Sequence, residues 1–168
     1  DNNIPDLRGE ADTGFTKQEP MVKLFFEPKT ALYQRLELKF GHTNLDANET
    51  YLGLSTSTFR SNPYKRLAAS RFDEIESTQY RQHLRHFIEI NPKTNLVTTV
   101  YGNTFNRNWQ KAHQLRDGGA TSAVRSTTDL SDALASKDGR AILRGDTAGT
   151  IRLRNNNRTY YMYGVQSS

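Results

Sequence analysis

The sequence predicts an all-β fold of antiparallel, up-and-down strands. Three observations predict it. Several segments alternate apolar and polar residues with a period of two. The connections between them alternate short, long, short, long. The composition joins a hydrophobic fraction of only 35% to eight Tyr and eight Phe, which suits a sheet with one wet face.

Strands are predicted near 19–27, 33–49, 77–90, 96–109 and 156–166, with long loops over 50–76 and 110–155. Residues 1–18 are polar and carry Pro5, Gly9 and Gly14, so they read as a loop entering the first strand. In that strand Val22, Leu24 and Phe26 share one face and Lys23 takes the other. Glu27-Pro28-Lys29-Thr30 is a short turn. The second strand puts Leu36, Leu38 and Phe40 on one face, and Arg35, Glu37, Lys39 and Gly41 on the opposite one. In the third, Tyr80, Leu84, Ile88 and Ile90 oppose Arg81, His83, Arg85 and Glu89, with Phe87 intruding among the latter. Asn91-Pro92-Lys93-Thr94-Asn95 is a tight hairpin turn. The fourth strand has Val97, Thr99, Tyr101, Phe105 and Trp109 in phase. The rows Val22/Leu24/Phe26, Leu36/Leu38/Phe40 and Val97/Thr99/Tyr101 are expected on one side of a single sheet. Within the second long loop, Leu130, Ala133 and Leu134 predict a short amphipathic helix over Thr128–Ser136. The last strand has Tyr161, Tyr163 and Val165 in phase.

The 168 residues suffice for one ordinary domain. The net charge of +5 and pI near 9.5 suit an acidic partner: nucleic acid, anionic lipid or lipopolysaccharide, or an anionic ligand. The absence of Cys rules out disulfides and thiolate metal sites. No stretch approaches the ~18 apolar residues of a spanning helix, but a spanning strand needs only about 9–11 residues, every second one apolar. No secretory leader is visible and the first residue is Asp1, which reads as a processed protein or an internal fragment.

Strict alternation of connections puts the short turns at one end of an up-and-down sheet and the long loops at the other. Outer-membrane barrels have that asymmetry, and compact soluble domains rarely need loops so long. Tyr101, Phe105 and Trp109, with Tyr160, Tyr161 and Tyr163, cluster toward the long-loop ends, as aromatic girdles do. Packing within a soluble β-core accounts for the same aromatics.

The first long loop carries a more specific signal. Thr50-Tyr51-Leu52-Gly53-Leu54, a Ser/Thr segment ending in Phe59, and Asn62-Pro63-Tyr64-Lys65-Arg66-Leu67-Ala68-Ala69-Ser70 resemble the "ETYLGL…F…NPYRRYAAS" loop. That loop occurs in TonB-dependent outer-membrane receptors of the ferric-citrate/siderophore type. Asp12-Thr13-Gly14-Phe15, Leu36–Gly41, Thr98–Phe105, Arg107–Lys111, Ile142–Gly145 and Asn155–Gln166 resemble neighbouring parts of the same family. Lys65 and Leu67 stand where the family pattern has Arg and Tyr.

The resemblance implies a segment of a transmembrane β-barrel in the outer membrane of a Gram-negative bacterium. It implies energy-coupled uptake of a ferric chelate, no covalent chemistry and no cofactor, iron entering only within the chelate. The implied partners are the chelate, outer-membrane lipid and lipopolysaccharide, and the TonB complex through a plug segment; no nucleic acid is expected. Such receptors have about 22 strands around a plug, so this chain is expected to supply one slice of the wall, without the plug. Because citrate-type chelates are anionic, the resemblance makes Arg60, Arg66 and Arg71, with Lys65, the candidate ligands in the first loop. Arg81 and Arg85 are candidates on the polar strand face, and Tyr51 and Tyr64, with Phe59, could stack on a chelate. For each, a solvated charge, a lipopolysaccharide contact or packing within the loop is the competing role.

Other signals are weaker. His83 and His86 fall on opposite strand faces, so a shared metal site is not expected. Asp73, Glu74 and Glu76 suit either a solvated strand entry or a bridging cation. Arg144-Gly145-Asp146 recurs by chance in many chains. Gly118-Gly119 and Asp138-Gly139 are turn signals, and no nucleophile elbow, zinc motif or phosphate loop is present. Two alternatives of other classes stand beside the transporter. One is a small basic β-sheet module binding single-stranded nucleic acid or another anionic ligand. The other is a soluble barrel carrying a small molecule.

Overall fold

A computed structural model describes residues 14–116 and 127–168. Pro5, Gly9, Asp12, Thr13 and Gly118-Gly119, singled out in the sequence, lie outside the described residues. The fold is all-β: one open, mostly antiparallel sheet of seven strands, with three short helices. β1 (Phe15–Gln18) and β2 (Met21–Phe26) both pair with β3 (Gln34–Asn48). Next come β4 (Glu74–Asn91) and β5 (Thr94–Arg116), and β5 pairs with both β6 (Thr127–Asp129) and β7 (Thr150–Ser167). The helices are α1 (Thr56–Ser61), α2 (Leu130–Ala135) and α3 (Lys137–Arg144), with a 3-10 turn at Ala68–Ser70.

The strands outrun their sequence signals. β4 starts at Glu74 rather than near 77, β5 continues to Arg116 rather than 109, and β7 starts at Thr150 rather than 156. The β4 and β5 extensions carry few apolar residues, Ile75 in the first and Ala112 and Leu115, three apart, in the second, so period two does not report them; the β7 extension does alternate, Ile151 and Leu153 against Arg152 and Arg154. β1 is a strand, although 1–18 reads as a loop.

The described residues divide into two compact units: 14–16, 46–76, 108–116 and 127–156, and 17–45, 77–107 and 157–168. The second, the sheet unit, holds both short turns, and the first holds both long loops. In the sheet unit, β2 and β3 pair Val22 with Phe40, Leu24 with Leu38 and Phe26 with Leu36, so the two predicted apolar rows meet directly. The His42 and Tyr80 rings, 4.8 Å apart, continue this face onto β4. On β5 it continues through Thr98, whose hydroxyl meets that of Ser167 at 3.1 Å, and through Gly102, whose missing Cβ leaves room for the Tyr163 ring.

This corrects the phase of β5. Val97, Thr99 and Tyr101 do not join the apolar rows; Tyr101 lies on the opposite face, beside Lys39 and Arg81. The row that joins them is Leu96, Thr98 and Val100. β5 is apolar on both faces here, so alternation alone cannot set its phase. Among the described residues, the sheet unit buries no hydrophobic side chain. Val22, Leu24 and Phe26 are 55%, 55% and 62% exposed.

The other unit, the loop lobe, owns the buried core. Leu52, Leu67 and Ala69 from the first long connection meet Ala112 and Leu115 of β5 and Ala133 and Leu143 of the second connection. The helix expected at Thr128–Ser136 is α2, with Ala133 buried and Leu130 packed on the core; Leu134 instead stays 37% exposed. α3 follows at once. Ser136 caps it by accepting from the Gly139 N–H at 2.9 Å, and Gly145, at φ 82°, ends it in the left-handed region that favours glycine. Gly139 is obligatory for packing: a Cβ there would press on the Ala133 carbonyl of α2.

Candidate functional site

The conformation of the first long loop rests on two buried charged residues. Asp73 is 1% exposed. One of its carboxylate oxygens accepts from the Ala112 N–H at 2.6 Å and the other from the Tyr51 N–H at 2.9 Å. Its own carbonyl accepts from the Glu49 N–H at 2.7 Å. Arg66, 2% exposed, donates to the Ser70 carbonyl at 2.6 Å and to the Glu49 carbonyl. The Ser70 hydroxyl accepts from the Leu52 N–H at 3.3 Å. A loop without regular pairing must satisfy its buried backbone groups with side chains, and Arg66, Ser70 and Asp73 do so here. Arg66 thus holds the loop from inside, and Asp73, grouped in the sequence with Glu74 and Glu76, belongs to this latch. Glu74 and Glu76 instead face Asp46, the three carboxylates lying within 4.8 Å of one another and partly exposed. Three surface acids at strand ends are commonplace.

The latch positions Tyr51. Its ring meets Trp109 edge-on at 5.9 Å, and the Lys111 ammonium sits 3.8 Å from the Tyr51 ring and 4.4 Å from that of Trp109. Lys111 and Trp109 thus join Tyr51 in an aromatic-cation group that the sequence does not bring together. The signal was the period-two spacing of Trp109 and Lys111 on one strand face. Of the other loop candidates, Arg60 ends α1 on the surface, Arg71 lies over Phe72 at 4.4 Å, and Tyr64 projects at 80% exposure. Arg66 and Tyr51 therefore share the latch.

The polar face of the sheet unit carries a broad groove of about 630 Å³, lined by Glu19, Lys39, Arg81, His83, Tyr101 and Asn103 among others. Arg81 donates to Glu19 at 3.0 Å and to the Thr43 hydroxyl at 2.8 Å, and Lys17 meets Glu19 at 2.8 Å. Glu19 sits in the break between β1 and β2, outside both strands. Hydrogen bonds from Lys17, Arg81 and Thr43, with the charge of Lys17, hold its carboxyl at about 2. Nearer the short turns, Lys23 and His83 meet Glu37 at 3.0 and 3.3 Å, and Arg85 lines a second hollow with Tyr33, Arg35, Glu37 and Phe87. The Tyr33 hydroxyl, in the turn before β3, donates to Glu27 at 3.0 Å, which raises its pKa. His83 and His86 separate as expected, His83 to Glu37 and His86 to Gln34 on the opposite face. Arg81 is thus ion-paired, and Arg85 lies in a different hollow from it.

No protein-family profile, curated protein or solved structure matches this chain.

Proposed function

We propose that this chain is a stretch of the wall of an outer-membrane transport barrel of the TonB-dependent, ferric-chelate class, and that it performs no covalent chemistry. The observation that carries the reading is the state of the sheet's two faces. Five neighbouring strand positions present an apolar face, Val22, Leu24, Phe26, Leu38, Leu84 and Val100 among it, with no second layer over the described residues. The opposite face is laced with ion pairs. A soluble sheet of this size normally covers its apolar face, whereas lipid covers it in a barrel. The division of the chain, short turns in one unit and long loops in the other, agrees with the barrel's asymmetry. The loop wording that resembles the receptor family supports the same assignment. In this reading the polar groove faces the lumen.

The chain contains no cysteine, so single labels can be introduced cleanly. Fluorophores at Leu24→Cys, Leu38→Cys and Val100→Cys, in chain reconstituted into vesicles, are expected to be quenched by nitroxides carried on lipid tails. Labels at Lys39→Cys and Arg81→Cys are expected to be spared. Equal quenching on both faces, or none on either, would remove the assignment.

A further inference from the structure

The loop lobe contains a cavity of about 360 Å³ between the α1 loop and the α2–α3 pair. Three cations, Lys65, Arg140 and Arg144, line it over an apolar floor of Leu67, Leu134 and Leu143, and no acid among the described residues belongs to the lining. Leu67 and Leu143 are part of the buried core, so the floor is rigid. Arg140 is the most informative member. Its Nη1 donates to the carbonyls of Leu134 and Ala135, at 2.9 and 2.8 Å. Two neutral carbonyls fix the guanidinium without neutralising it, and it makes no ion pair among the described residues. Arg144 is held only by Asp146 at 3.0 Å, both side chains being about half exposed, an arrangement that binds its charge weakly. Arg81 and Lys23 on the sheet's polar face are spent on carboxylates; Arg140 is not.

We infer that this cavity is a binding site for a small organic oxyanion, a carboxylate or phosphate ester with an apolar body. Arginine's planar fork recognises both oxyanions bidentately, and the leucine floor takes the apolar part. The volume lies at the low end of small-ligand sites. The inference stands apart from the outer-membrane assignment, because it depends only on the lobe.

The test is calorimetric titration of the full chain in detergent micelles at low ionic strength with benzoate, phenylphosphate and neutral benzyl alcohol. Saturable binding of at least one anion, and not of the alcohol, is expected, and the anion that binds assigns the oxyanion class. Arg144→Gln should weaken it about tenfold to a hundredfold, as loss of a charged hydrogen bond does, and Arg154→Gln, outside the cavity, should leave it unchanged. Arg140→Gln should do the same as Arg144→Gln; since Arg140 also braces the end of α2, Arg144→Gln decides if that variant misfolds. No saturable anion binding, equal binding of the alcohol, or full binding by Arg144→Gln overturns the inference.

Discussion

Replacing Asp73 by Ala strips two backbone N–H groups, the part-buried one of Tyr51 and the buried one of Ala112, of their acceptor. Asp73 itself is 1% exposed, so water does not readily replace its carboxylate. Hydrogen bonds to a charged group contribute about 1.5–3 kcal/mol each, so the pair amounts to about 3–6 kcal/mol. That is enough to release the segment around Tyr51 from β5. Asp73→Asn keeps one carbonyl oxygen and should cost about half as much. The chain supplies its own probe, because its single tryptophan, Trp109, packs against Tyr51. In micelles, Asp73→Ala should shift Trp109 emission to the red and lower the denaturant midpoint of that signal, with Asp73→Asn in between. An Asp73→Ala protein within about 0.5 kcal/mol of the parent, the range of an ordinary surface change, with unaltered emission, would refute the latch.

Leu143→Ala should cost the lobe about 2–5 kcal/mol, as a fully buried leucine does, read from the same tryptophan transition. Gly139→Ala should destabilise α2 and α3 by at least about 1–3 kcal/mol through overpacking, seen as lost helical circular dichroism; a neutral result would mean that the two helices are not in contact there. Leu24→Arg should cost about 2–4 kcal/mol in a bilayer if Leu24 lies near its midplane, against almost nothing at an exposed position in water. Glu19 offers a pH test. Its carboxyl pKa is lowered, so its ion pairs with Lys17 and Arg81 contribute fully above about 4.5 and disappear as pH falls towards 2. Its side-chain carboxyl NMR signal should titrate in that low range; titration at the ordinary value would dissolve the cluster.

The faces of β3 and β4 were legible because each strand concentrates its charges on one side, Phe87 being the exception on β4, and β2 follows its pairing to β3. β5 was not, because Val97 and Tyr101 compete with Leu96 and Val100, and only cross-strand partners such as Ser167 break the tie. The α2 segment announced itself through Leu130 and Ala133. α1 and α3, six and eight residues long, are too short to hold by propensity and exist because of packing and caps. For the candidate sites, the sequence pointed to cations by type. It could not tell Arg66, turned inward onto carbonyls, from Arg140 and Arg144, which meet Lys65 only after the two long connections fold together.

That meeting also dictates an order of events. The lobe joins Leu52, Leu67 and Ala69, from before β4, to Ala133 and Leu143, from beyond β5. Closing so long a stretch of unfolded chain in one step is entropically expensive and slow. Zipping β4 onto β5 from the turn at Pro92-Lys93 shortens the span, so that Asp73 and Ala112, 39 residues apart, arrive side by side. The hairpin is therefore expected to form first and the lobe to close last. Changes at the turn should slow folding, while changes at Leu143 should mainly speed unfolding.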